Sequence, residues 1–359
     1  MEIKQSAKKE WANYLKAYGI IMVVIGHAGA PANISKLIYL FHMPLFFFIS
    51  GYFYKDEYIH NIWDFVKRRL KGLYLPSVIF GIGFVFLHNL FMELNIYSDK
   101  MGYRGPSHYY SKEEIIAKSI NVLKFKYSEE MAGVFWFFPA LLFVFLIFIT
   151  VSAILNKIKI KHMEEIRFAI IVLIMVIGNY VIRSGKILYF WEMNTAFIAT
   201  AIFYFGYLYK KNESKIPMGG MYAILALILL VVNSKQGSIS IVANSYVNIP
   251  FLLMNSFLGI YLTLYVSKVL TKKDNKLLNY IGANTIGIMI LHFLAFKIVN
   301  AIQVAVYDYP AYKISGFPVL NGQNGWWIAY TFVGVFIPMI CVFGYDKVME
   351  KIKKSNKLL

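Results

Sequence analysis

The chain reads as an all-α integral membrane protein, a polytopic bundle of about ten transmembrane helices with both termini cytoplasmic. Three observations carry that reading. Of 359 residues, 58% are apolar and only 16% charged, against about 25% charged in an ordinary soluble domain. The mean hydropathy is +0.56. Ten apolar stretches, each long enough to enter a roughly 30 Å hydrocarbon core, alternate with mostly basic connections.

The first stretch, 11–29, is a helix interrupted by Lys16. Its end, Ala28-Gly29-Ala30, runs into Pro31, so the span is read as retained rather than cleaved. A turn at 31–35 leads into the second stretch, 34–54. A basic loop at 55–71 follows, with Trp63 and Phe65 among its charges. That loop suits either a membrane surface bearing anionic headgroups or contact with an anionic donor. The third stretch, 73–91, ends near Glu93. The longest connection, at about 94–131, carries Tyr97, Tyr103, Tyr109, Tyr110 and Tyr127. Such a set suits a carbohydrate, and tyrosines also gather at membrane interfaces; a loop of this length in a tightly looped chain has work to do.

The fourth stretch, 135–155, opens on Phe135-Trp136-Phe137-Phe138-Pro139-Ala140, with proline just inside a helix start, where it is tolerated. The fifth and sixth, 166–182 and 192–209, flank Arg183, Lys186 and Glu192, with Asn194 just inside the sixth. The seventh and eighth, 216–232 and 249–270, are joined by a loop holding Asn244 and Asn248. The ninth, 281–302, contains Thr285-Ile286-Gly287-Ile288-Met289-Ile290-Leu291-His292. The tenth, 326–345, holds the single cysteine, Cys341, and leads to a basic tail at about 346–359. No repeat period of about 20–50 residues appears, so residues 1–359 are read as one membrane-embedded domain.

The formal charge is +18. With the amino terminus cytoplasmic, every short cytoplasmic segment is more basic than every short external one. The charge therefore reads as topology, and no nucleic-acid partner is expected. One cysteine leaves no disulfide framework and no thiolate metal site.

Ionisable groups inside a span are costly and face the bundle interior or a wet cavity. Lys16 precedes His27 by eleven residues, about 16 Å along one helix. His42 follows the turn by nearly the distance that His27 precedes it, and His292 lies eleven residues into the ninth stretch. All three imidazoles thus fall at similar depth. Plain structural roles exist for each: a lysine near the interface can snorkel, and a histidine can hydrogen-bond across helices. His60, His108 and His162 fall in loops and His88 near a helix end, all read as solvated or interfacial. No helical His-x-x-x-His pair appears, so no metal is expected.

A cation near one membrane face and an imidazole about 16 Å deeper fit a long donor with a phosphate head and a reactive thioester end. The cation holds the phosphates, the arm threads between helices, and the imidazole acts as general base or as nucleophile. The same buried histidines would also serve a transporter or polysaccharide exporter as a proton relay. A non-catalytic subunit of an envelope assembly is a third class.

The residues also resemble a known family, the acyltransferase-3 membrane O-acyltransferases, in the branch similar to fucose 4-O-acetylase and related cell-envelope acetyltransferases. Asn13-Tyr14-Leu15-Lys16 followed by Gly19 to His27 matches the family's basic residue, ten positions, then histidine. Phe41-His42-Met43-Pro44-Leu45-Phe46-Phe47-Phe48-Ile49-Ser50-Gly51 is similar to the second-span signature of this branch. Trp136 to Ala140 and Thr285 to His292 resemble two further segments, in order along the chain. The resemblance implies an acyl-CoA donor (acetyl-CoA in the simplest case), Lys16 as the donor-side cation, His27 as the catalytic residue and an extracytoplasmic glycan or lipid-linked sugar as acceptor. The setting it implies is a bacterial cytoplasmic membrane, with membrane lipids around the bundle. His42, Glu192 and His292 are further catalytic candidates, and Trp136, Arg183 and Asn194 candidates for holding the acceptor. Asn13 and Ala17 depart from the aspartate and glycine common at those places, which leaves Glu192 as the outer-half acid to test.

Overall fold

The hub of the bundle is its first helix. The computed structural model describes residues 2–103, 105–158, 161–185, 191–270 and 274–355, and Lys186 lies outside them. Helix α1, Glu2–His27, packs against α2 (Ala32–Tyr39), α3 (His42–Tyr52), α12 (Ile249–Leu270), α13 (Lys276–Ala283), α14 (Thr285–Val306) and α15 (Trp326–Ser355). Around that hub run α4 (Ile62–Arg69), α5 (Leu75–Phe86), α6 (His88–Glu93), α7 (Lys112–Leu123), α8 (Phe137–Ile158), α9 (Met163–Arg183), α10 (Trp191–Asn212) and α11 (Gly220–Gln236). The described residues form no β-sheet, only isolated bridges such as Ser240 with Ser245.

All ten apolar stretches fall on helices. Among the described residues, seven helices, counting segments that run on through short breaks, are long and apolar enough to cross a membrane. The other three stretches belong to α1, α10 and α11. Helix α11 has only 17 residues. Helix α10 is polar for an inside reason: Asn194, Thr195, Thr200, Tyr204, Tyr207 and Tyr209 are buried against protein rather than lipid. A hydropathy window penalises such residues, although packing between helices satisfies them.

Local chemistry sets the ends and breaks that matter. Gly29 adopts φ +71 just past α1, the left-handed C-terminal position that glycine fills without a Cβ clash. Pro31 then starts α2. The second stretch, expected as one helix, breaks at Leu40–Phe41, where Phe41 has φ −149 and ψ −13. Phe41 itself is seated on Gly259 of α12, where an added Cβ would overlap its ring. Helix α3 meets α10 through two glycines: a Cβ on Gly51 would strike the Phe203 carbonyl, and one on Gly206 the Phe48 carbonyl. That is small-residue packing, with backbones approaching where side chains are absent. Gly51, the last residue of the second-span signature, is therefore required by helix contact. Asn13 is also structural, since its Nδ2 donates to Asn279 Oδ1 at 2.6 Å and so ties α1 to α13.

The ends of the bundle differ. On the face where α1 begins, called proximal below, ion pairs link loops and helix ends, with Lys211 on Glu164 and Lys268 on Glu213 at 2.8 Å each. On the opposite, distal face, the α1–α2 turn, the 94–136 segment, the α11–α12 loop and the α14–α15 loop converge. There Gly322 packs on Gly29 and Tyr103 on Phe317.

Candidate active site

Residues 16, 20, 23 and 27 recur at i, i+4, i+7 and i+11 of α1, a spacing that puts Lys16, Ile20, Val23 and His27 on one helical face. Three of them, Ile20, Val23 and His27, line a cavity of about 110 Å³. Lys16 continues the stripe one turn nearer the proximal face. It is half-buried, and no described group pairs with its ammonium. Across the cavity, Thr285 and Met289 of α14 also line it, and His292 follows at the next position of the same stripe.

His292 sits behind His27. The two rings stack with centroids 5.2 Å apart at 11°, and His27 Nδ1 lies 3.1 Å from His292 Nε2. His292 Nδ1 lies 2.8 Å from the Met289 carbonyl and 3.2 Å from that of Ile288. A carbonyl can only accept, so His292 Nδ1 carries hydrogen. In neutral His292 the Nε2 is then an acceptor, and His27 donates its Nδ1–H to it. That fixes the tautomer of His27 and leaves its Nε2 with a lone pair. Nε2 makes no hydrogen bond to the described residues.

His42 repeats this logic. His42 Nδ1 reaches the Ile38 carbonyl at 2.9 Å, an oxygen that also accepts the Phe41 N–H at 3.2 Å, so His42 is also a donor at Nδ1 and an acceptor at Nε2. It lines the same cavity as His27, together with Met43, Phe46 and Trp136. The distal end of the cavity is walled by Ile239–Val242 of the α11–α12 loop. The site therefore offers two neutral imidazole lone pairs in a mostly apolar space, with a cation farther along the same helix.

The other candidates sit elsewhere. Arg183 donates to the carbonyls of Tyr246 and Val247 at 3.3 and 3.2 Å and lies over the Tyr246 ring, bracing the α11–α12 loop. Asn194 is fully buried in α10, beside Thr195, which accepts from Asn244 at 2.9 Å. Glu192 is half-buried at the start of α10. None of the three lines the His27 cavity.

One reading is corrected. His88 is not interfacial: it is 2% exposed and lies 2.8 Å from Glu129. Its Nε2 lies 3.0 Å from the His108 carbonyl and 3.3 Å from the Ser107 hydroxyl, and its ring stacks on Tyr110 at 3.4 Å. The Ser107–His88–Glu129 alignment looks like a nucleophile triad. It lacks the base, because Nε2 must donate to the carbonyl and so has no lone pair for the serine proton. This cluster braces the long loop instead.

Residues that sequence reading missed include Phe293, 4.9 Å from His27, and the cavity wall at Ile239 and Ile241. Two isoleucines set between serines in a short loop, Ser238-Ile239-Ser240-Ile241, were the available signal for the latter.

No curated protein and no solved structure matches the chain significantly. The profile of the acyltransferase domain family does, over residues 9–343. That interval takes in α1 with Lys16 and His27, the broken second stretch with His42, and α14 with His292. The chain is therefore a multi-pass membrane protein that belongs to the acyltransferase-3 family of acyltransferases.

Proposed function

We propose that the protein is an O-acyltransferase that moves a short acyl group, acetyl in the simplest case, from cytoplasmic acyl-CoA to a hydroxyl of an extracytoplasmic glycan or lipid-linked sugar. One observation carries the reading: Lys16 and His27 share one face of α1, and His27 is held with its Nε2 lone pair unpaired at an apolar cavity. The basic proximal segments support a cytoplasmic assignment for that face, and the setting proposed with it is a bacterial cytoplasmic membrane.

In this reading Lys16 holds the donor's phosphates by a charge-assisted contact, and the pantetheine arm follows Ile20 and Val23 to the cavity. His27 Nε2 takes the acceptor hydroxyl proton as that oxygen bonds to the thioester carbonyl carbon. The C–S bond then breaks, and the departing thiolate takes the proton back from the imidazolium. His292 accepts the Nδ1–H throughout and stabilises the positive ring, the part an orienting third group plays in acyl-transfer triads. His42 Nε2, which can only accept in the neutral ring, holds a hydroxyl of the acceptor.

A proton-relay transporter fits less well. The hydrogen-bonded chain from His27 runs through His292 and stops at the Met289 carbonyl, which has no proton to pass on.

Lys16→Ala should raise the apparent KM for acyl-CoA about tenfold or more, the worth of one hydrogen bond to a charged group, and Lys16→Arg should recover part of it. Initial rates with labelled acetyl-CoA and protein in nanodiscs measure both. A donor KM that does not move in Lys16→Ala removes the phosphate-holding role.

A further inference from the structure

We infer that the distal face carries a sugar subsite beside the His27 cavity, made of an aromatic ledge, Tyr103 and Phe317, and a polar cavity that Glu130 joins to it. The inference rests on the acyl-transfer reading for the role of the sugar, as acceptor, and on geometry for its place.

Two loops that are far apart in sequence form the ledge. Tyr103 is 68% exposed, its ring 5.3 Å from that of Phe317. Phe317 stands 4.7 Å from Phe293, and Phe293 stands 4.9 Å from His27. Three rings thus step from the distal surface to the candidate catalytic imidazole. Gly133 passes against both Phe293 and Phe317, and Val134 and Trp136 just after it wall the His27 cavity. The ledge and the cavity therefore share one strip of chain.

Beside the ledge is a second cavity, of about 160 Å³, lined by Ser107, His108, Ser128, Glu129 and Glu130. Glu130 joins the two features, since its carboxylate also accepts the Tyr103 backbone N–H. A pyranose has an apolar C–H face and a rim of hydroxyls. An aromatic ring suits the first, and carboxylate and hydroxyl groups suit the second.

The ledge is also held in place. Lys297 donates to the Ser315 and Gly316 carbonyls at 2.9 Å each, and Asn300 to those of Ile314 and Gly316 at 2.8 Å. Gln303 donates to the Asn321 carbonyl at 2.7 Å. Three buried polar side chains of α14 thus fix the backbone on both sides of Phe317. A surface ordered before binding loses less entropy when a ligand arrives.

The test uses the full chain in nanodiscs and four soluble probes: cellotetraose, maltotetraose, chitotetraose and galactotetraose. Binding is read by saturation-transfer difference NMR and titration. Wild type is expected to bind at least one probe, Tyr103→Ala to bind it about tenfold more weakly, and Tyr103→Trp to stay close to wild type. Wild type that binds none of the probes overturns the subsite, and so does Tyr103→Ala that binds as wild type does, which would make Tyr103 a membrane-interface residue only. The same samples are given labelled acetyl-CoA. Sugar binding that depends on Tyr103, with no CoA released under any condition, keeps the subsite and overturns the acyl-transfer reading.

Discussion

His27→Ala should lower acyl transfer by about 10²- to 10⁴-fold, the usual worth of a positioned general base, while the protein still inserts and elutes as wild type does. The size follows from the geometry. His27 and His42 are the two imidazoles lining the cavity, and the Nδ1–H of His27 is already committed to His292, so its Nε2 is the atom left for the reacting hydroxyl. Truncation removes a half-buried ring that packs on Phe293, at a site already bounded by a cavity, so the fold should tolerate it. His42 keeps an accepting Nε2 in the same space, which accounts for a residual rate in place of none. Initial rates of labelled-acetyl transfer, with thermal unfolding as the folding control, measure the effect. A variant that transfers at the wild-type rate would show that the chemistry lies elsewhere.

His292→Ala should give the second-largest loss, and a different kind. His292 does not line the cavity, so it is a positioning residue. Removing it leaves the His27 Nδ1–H without its acceptor, a cost of about 1–3 kcal/mol for a buried donor, or about 10- to 100-fold in kcat. It also frees His27 to rotate or to exchange tautomers. The donor KM should stay near wild type, because Lys16 and the Ile20–Val23 wall are untouched. His292→Gln, whose amide oxygen can accept, should recover part of kcat. A purely structural role for His292 predicts loss of folded protein and no rescue by glutamine, so kcat in the two variants separates the possibilities.

How much of this was legible in the sequence depended on whether the determining contact is local. The Lys16–His27 spacing is a property of one helix, and the i, i+4, i+7, i+11 stripe that aligns Lys16 with the cavity wall can be drawn from the letters alone. The Thr285–Met289–His292 stripe is legible in the same way. Which stripes face each other is not, because helix rotation is set by packing across the bundle. Depth alone grouped His27 with His42 and His292; the structure adds that His292 lies behind His27 while His42 shares its cavity.

Long-range polar pairing was the other blind spot. His88 looked interfacial because it lies at a helix end, yet its partner Glu129 is 41 residues away. Arg183 looked available for a substrate, but the carbonyls it holds belong to a loop 63 and 64 residues on. Helix α14 shows the same limit: Lys297, Asn300 and Gln303 hold carbonyls of the α14–α15 loop, and their purpose appears only with that loop. The break at Leu40–Phe41 was hidden for a simpler reason, since no glycine marks it and Phe41 is placed by the notch at Gly259.

The most direct test is whether a thioester's acyl end reaches His27. Purified protein is irradiated with an acyl-CoA that carries a diazirine on its acyl chain, and the adducts are mapped by mass spectrometry with and without excess acetyl-CoA. The geometry predicts adducts on the cavity wall, in the peptides spanning 20–27 and 285–289, that acetyl-CoA competes away and that Lys16→Ala weakens. Adducts confined to surface loops, with none competed in α1 or α14, would contradict it.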